Sequence, residues 1–146
     1  KRSNTKKQRN KVLIADDSVV SRTILNNIFE AQYTVLQADN GKKALDLLRA
    51  NRDDVAVILL DMVMPVMDGR TFLLTKNSEP DIANIPVVVI SDEGRKEEQI
   101  DALKLGANDY VTKPFIPELL LRRVRNAAES EASSPDHKNE QIFGDK

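Results

Sequence analysis

The chain has 146 residues, 40% hydrophobic and 31% charged, with a formal net charge of −1, a balance that fits one soluble globular domain with short tails, long enough to bury a core without disulfides or a structural metal. It contains no cysteine, which excludes disulfides, zinc–thiolate sites and a thiol nucleophile and fits a cytoplasmic protein. Near-neutral charge and 4% aromatic content argue against a nucleic-acid surface, and no apolar run approaches the ~20 residues that span a bilayer.

Lys1, Arg2, Lys6, Lys7, Arg9 and Lys11 precede the first acid. Residues 1–10 therefore read as a basic N-terminal tail or linker, with an arm for nucleic acid or a membrane surface as the alternative. They are not a signal peptide, because no apolar stretch of ~7–15 residues follows. The chain begins at Lys1 rather than methionine, which points to a processed form or an excerpt of a longer protein. Val12 to Asp16 predicts a first strand. A helix follows from Ser18, a plausible N-cap, to about Glu30, with Val20, Ile24 and Ile28 on one stripe. Thr34 to Ala38 predicts a second strand, Asn40-Gly41 a turn, and Ala44, Leu45, Leu47 and Leu48 the next helix. Val55 to Leu60 is continuously apolar, as in a strand buried on both faces. Asp68-Gly69 opens a third helix through Phe72, Leu73 and Leu74, and Val87 to Ile90 is a fourth strand. Arg95 to Leu105 predicts a charged helix with Ile100 and Leu103 inward, closed by Gly106. Asn108 to Thr112 is a fifth strand, and Pro117 to about Ala128 the last helix. The globular unit is expected over 11–129, and 130–146 as a polar C-terminal tail or linker.

Regular strand–helix alternation predicts an α/β fold, a doubly wound five-stranded parallel sheet with helices on both faces. Five units cannot close an eight-stranded barrel. In such a sheet, ligands bind outside the carboxyl ends of the strands. Four signals follow the strands there: Asp16-Asp17, Asp61, Ser91 and Lys113-Pro114. Three carboxylates, a hydroxyl and an ammonium suit a divalent metal and a phosphoryl group. Two carboxylates ~4 Å apart repel by about 4 kcal/mol at an effective dielectric near 20. A cluster of three therefore needs a cation, a proton or solvent between its members.

These motifs resemble the receiver domain of two-component response regulators. The likeness runs from about Lys11 to Glu129. It rests on Asp16-Asp17, the run Ile58 to Gly69 (ILLDMVMPVMDG), Ser91, and the run Gly106 to Phe115 (GANDYVTKPF). It implies a flavodoxin-like fold with strand order 2-1-3-4-5. It also implies that Asp61 accepts a phosphoryl group from a histidine kinase or phosphotransfer protein. Mg2+ is then expected on Asp17 directly, Asp16 partly through water, Asp61, and the backbone carbonyl of Val63. Lys113, followed by a cis bond to Pro114, is expected as the fixed positive partner. Ser91 is expected to bind the phosphoryl group and to act with Tyr110 as the switch. The signal would leave through the face of the helix 95–105, the fifth strand and the last helix, with Ile100, Leu103, Lys104, Tyr110, Leu119 and Arg123. Its receiver would be an output domain in the same or another chain. No ordinary enzyme is implied, only a cytoplasmic module that promotes its own phosphorylation and slow dephosphorylation, without direct contact to nucleic acid or membrane. The alternative is a degenerate receiver that serves as a protein-interaction scaffold. A haloacid-dehalogenase-type phosphohydrolase would need an acid where Val63 stands, and a flavin carrier would need a hydroxyl-rich loop after the first strand.

Some positions depart from the family pattern. Asp92 stands where a small residue usually leaves a path for the donor. Val63 and Glu93 occupy positions that tune the phosphorylated lifetime; Val63 cannot position an attacking water, so a lifetime of minutes or longer is expected. Asp109 and Arg123 match one charge pair of a symmetric homodimer, but Gln99 and Leu119 do not match the other. In Leu119-Leu120-Leu121 one leucine should be exposed.

Overall fold

In a computed structural model the described residues are 9–131; the expected tails, 1–10 and 130–146, lie outside them except at 9–10 and 130–131. The alternating runs form β1 (Lys11–Ala15), α1 (Val19–Phe29), β2 (Thr34–Ala38), α2 (Gly41–Ala50), β3 (Val55–Asp61), α3 (Gly69–Asn77), α4 (Pro80–Ala83), β4 (Val87–Ser91), α5 (Lys96–Lys104), β5 (Asp109–Thr112) and α6 (Pro117–Glu131). The sheet is parallel throughout, in the order β2-β1-β3-β4-β5. The fold is thus flavodoxin-like, as the resemblance implies.

Because strand side chains alternate, each strand feeds two cores. Leu13, Ile58, Leu60, Val87 and Val89 pack with residues of α2, α3, α4 and α5 on one face. Val12, Ile14, Val57, Leu59, Val88 and Ile90 pack with residues of α1 and α6 on the other. Val57 to Leu60 of β3 are fully buried. Register carries the strand ends to one edge. Ala15 faces Leu60, Asp61 faces Ile90, and Ser91 faces Thr112. Asp16, Asp61, Ser91 and Lys113 therefore end neighbouring strands.

Several local expectations change. In α1 the buried stripe is Ser21, Leu25 and Phe29, one position after the expected one; Val20 and Ile24 are exposed. Both stripes repeat every four residues, and burial of Phe29 removes more apolar area than Val20 offers. In α5 Ile100 and Leu103 also face out, and Gln99 and Ala102 face in. Asn40 is a helix cap rather than a turn: its side chain accepts from the backbone N–H of Lys43. Gly41 is required there, since a Cβ would stand 2.4 Å from the carbonyl oxygen of Met67. The short α4 was not expected; Pro80 opens it and Ile82 buries it. Leu74 is exposed on α3, whereas Phe72 and Leu73 are buried. Gly106 ends α5 with φ of 101°, as its role as a C-terminal cap requires. Leu119 is exposed and Leu120 buried. Arg9 donates to the carbonyls of Arg52 and Val55, and α6 extends through Glu131. Among the described residues, no helix is long and apolar enough to cross a membrane.

Candidate functional site

The site begins where β1 ends. Asp16 is fully buried, and its Oδ1 accepts from the backbone N–H of Ser18 at 2.9 Å. Ser18 in turn caps α1, its Oγ accepting from the N–H of Ser21. Arg22 reaches back from α1 and donates to the Asp16 carbonyl at 2.7 Å. One carboxylate is thus fixed by the turn that starts the helix. Its other oxygen, Oδ2, is buried without a hydrogen-bond partner, and Lys113 Nζ lies 4.0 Å away. That separation is an ion-pair distance, too long for a hydrogen bond.

Asp61 ends β3, the fully covered central strand. Its Oδ1 accepts from the backbone N–H of Val63 at 3.1 Å. Carboxylate oxygens of Asp16, Asp17 and Asp61 all lie within 4.8 Å of one another. Burial raises the Asp61 carboxyl to about 7; the Val63 N–H and Lys113 pull it down, while Asp16 and Asp17 push it up. The orphaned Asp16 oxygen and the crowding that favours a protonated Asp61 both express a missing positive charge. An all-oxygen donor set fits a hard divalent cation such as Mg2+ rather than zinc. The residues present therefore fit such an ion, and Asp16, Asp17 and Asp61 are those that would hold it.

Lys113 follows β5. Its backbone N–H donates to the Ser91 carbonyl at 3.0 Å, and its bond to Pro114 is cis. Ser91, 3% exposed, ends β4, and its Oγ accepts from Gln99 Nε2 at 2.7 Å. Tyr110 is half-buried against the core formed with α2, α3 and α5. It also borders a cavity of about 130 Å3 with Phe115, Ile116, Leu119 and Arg123. Asp92 and Glu93 are exposed, as are Asp17 and Val63. Arg123 donates to both carboxylate oxygens of Asp109, at 2.9 and 3.0 Å, so that charge pair is made within the chain.

The structure thus brings the acidic residues and Lys113 together and sets Ser91 two strands from β1. Two features were not anticipated. Val66, exposed, takes φ of 67°, closed by a bond from the Met67 N–H to the Pro65 carbonyl; a β-branched residue gives no warning of that conformation. Gln99 appeared in the sequence only as a departure. Its polar side chain lies on the buried side of α5, opposite Ser91.

The model of the response regulator receiver domain family matches residues 12–125. A chemotaxis protein CheY homolog of Campylobacter jejuni is 36% identical over 80% of this chain and 90% of its own length. Chemotaxis protein CheY1 of Helicobacter pylori is 37% identical over 78% of this chain and 93% of its own. Among solved structures, chemotaxis protein CheY4 of Vibrio cholerae superimposes with a TM-score of 0.74, at 30% identity over 82% of this chain and 98% of that one.

Proposed function

This chain belongs to the response regulator receiver domain family, whose members are signalling modules, and from that premise we propose that it is a Mg2+-dependent, phosphorylation-operated switch with Asp61 as phosphoacceptor. The observation that carries the proposal is the cluster of Asp16, Asp17 and Asp61, with Lys113 Nζ 4.0 Å from a buried Asp16 oxygen that lacks a hydrogen-bond partner. The donor is a histidine kinase or phosphotransfer protein, and the reader an output domain in this or another chain or a second copy of the receiver.

An ionised Asp61 oxygen attacks the phosphorus of the donor phosphohistidine. The P–N bond breaks, and an aspartyl phosphate forms. Phosphoryl transfer leaves the protein mainly positioning and electrostatic work. Bound Mg2+ would neutralise charge on the phosphoryl oxygens and favour the ionised form of Asp61. Asp16 and Asp17 would hold it, with Asp61 and the Val63 carbonyl. Lys113 supplies a fixed positive charge, first to the Asp61 carboxylate and then to the phosphoryl oxygens of the acyl phosphate. The Ser91 hydroxyl donates to a phosphoryl oxygen, and Tyr110 follows it. That local charge event biases the face of α5, β5 and α6, where Ile100, Leu103 and Leu119 are exposed. Val63 offers no group to position an attacking water, so hydrolysis takes minutes or longer.

Intact-mass measurement with acetyl phosphate tests the proposal. One phosphate-sized gain is expected in the wild type with Mg2+, absent from Asp61→Asn and absent without the metal. If the wild type gains nothing, Asp92→Ala separates a blocked donor path, which that variant restores, from a scaffold-only domain, which it does not.

A further inference from the structure

The switch serine is not alone in its pocket. Ser91 and Gln99 are both buried, 3% and 6% exposed, and Gln99 Nε2 donates to Ser91 Oγ at 2.7 Å. On α5 the buried residues are Gln99 and Ala102, while Ile100 and Leu103 stand 52% and 41% exposed. Arg95, at the N-cap of α5, makes no side-chain cap bond. The helix is therefore held by little apolar area. Three polar contacts also reach it: the buried Gln99–Ser91 bond, the exposed Arg70–Asp101 pair to α3, and Asn77 Nδ2 on the Leu105 carbonyl at 2.7 Å. Of these, the Gln99 bond ties α5 to the edge of the sheet that carries Asp61.

A serine hydroxyl has one proton to donate and two lone pairs that accept. An amide N–H on Oγ fills one lone pair and leaves the proton free. A hydroxyl that already accepts a bond is also a stronger donor in the next one. Register places Ser91 one residue beyond Ile90, the partner of Asp61, so a phosphoryl group on Asp61 lies on the side where that proton is wanted.

Resting on the reading of Asp61 as phosphoacceptor, we propose that Gln99 is a positioning residue of the switch: its amide N–H keeps the Ser91 hydroxyl proton available to the phosphoryl oxygen and couples the placement of Ser91 to α5. The direction of the bond is the substance of the inference. A carboxylate at position 99 has no N–H to give and would take the Ser91 proton for itself.

The test compares wild type, Ser91→Ala, Gln99→Met, Gln99→Glu and the double variant Ser91→Ala/Gln99→Met. Phosphate gain is timed by intact mass with acetyl phosphate and Mg2+, and amide hydrogen exchange in α5 is read with and without phosphorylation. Gln99→Met should slow phosphorylation about fivefold, the worth of one buried hydrogen bond. Gln99→Glu should slow it at least as much as Ser91→Ala, about tenfold. The double variant should be no slower than Ser91→Ala alone, because Gln99 acts through Ser91. The change in α5 exchange on phosphorylation should vanish in Gln99→Met, which a purely structural role would not require. If Gln99→Met melts below the assay temperature, Gln99→Glu, of nearly the same shape, carries the test with its own expected slowing and the same loss of the exchange change. Wild-type rates and exchange in both Gln99 variants, with Ser91→Ala slow, would overturn the inference and leave the Asp61 reading standing. Additive slowing in the double variant would also overturn it. A wild type that takes no phosphate would remove the Asp61 reading, and this inference with it.

Discussion

The two halves of the sheet edge that carries Asp16, Asp61, Ser91 and Lys113 are held in different ways. On the β1–β3 side, Asp16 is locked by the Ser18 N–H and an Arg22 bond, and Asp61 ends a strand covered on both faces. On the β4–β5 side, α5 buries two residues, one of them polar, and turns Ile100 and Leu103 to solvent. Asp16 and Asp61 thus stand at the ends of buried strands, while α5, the element that would report a charge change, buries only Gln99 and Ala102. Segments with little buried apolar surface open at the lowest free-energy cost. The switch proposed above would use both: fixed carboxylates to hold an ion beside a phosphoryl group, and a helix whose position small energies can shift.

The largest expected effect breaks the rigid half. Leu59→Ala should cost about 3–4 kcal/mol of unfolding free energy, because Leu59 is fully buried in β3. Leu103→Ala on α5 should change it by less than about 0.5 kcal/mol. Urea unfolding of the two variants measures the contrast; equal losses would erase the distinction between the halves.

The rigid half also holds a buried cation. Lys76 on α3 is 3% exposed and donates to the Ala83 carbonyl at 2.7 Å, and burial lowers its ammonium from 10.5 to about 8. Below pH 8 the ammonium is charged in both states, so its burial penalty is constant. Between about 8 and 10.5 the unfolded chain binds more protons, so stability should rise with pH, by up to about 3 kcal/mol. The rise is read as the difference between wild type and Lys76→Met across that range. A flat difference would show that Lys76 stays charged in the fold.

Asp16 gives a smaller and two-sided effect. Asp16→Asn removes a buried charge next to Asp61, so the metal-free protein should gain about 1–2 kcal/mol. The same variant should lose most of the rise in melting temperature that Mg2+ gives the wild type. A variant stabilised by Mg2+ as strongly as the wild type would take Asp16 out of the metal site.

The smallest test compares helix caps. Asp68 caps α3, its carboxylate accepting from the Thr71 N–H at 2.9 Å, whereas Arg95 stands at the N-cap of α5 with no side-chain capping bond. Asp68→Ala should cost about 1 kcal/mol and Arg95→Ala less than about 0.5 kcal/mol. Thermal unfolding would sharpen the contrast or remove it.

The sheet was legible in the sequence because its strands are fully apolar and end in polar signals. Val55 to Leu60 needs burial on both faces, and Asp61 then marks its carboxyl end. The helix faces were less legible. In α1 two parallel stripes, Val20-Ile24-Ile28 and Ser21-Leu25-Phe29, fit the same period, and the bulk of Phe29 decides between them. In α5 Gln99 faces inward and Ile100 and Leu103 outward; the buried partner of Gln99 is Ser91 on β4, which no pattern along α5 contains. The gathering of Asp16, Asp17 and Asp61 followed from parallel topology; the unpartnered Asp16 oxygen and the raised Asp61 carboxyl are properties of the assembled edge.

The central claim, that this edge makes a phosphoryl acceptor of Asp61, has a direct chemical test. After incubation with acetyl phosphate and Mg2+, borohydride reduction converts an aspartyl phosphate to homoserine, and peptide mass spectrometry locates it. The account predicts homoserine at position 61, with Asp16 and Asp17 unchanged. Homoserine at another aspartate, or none anywhere in protein that has gained a phosphate, would contradict it.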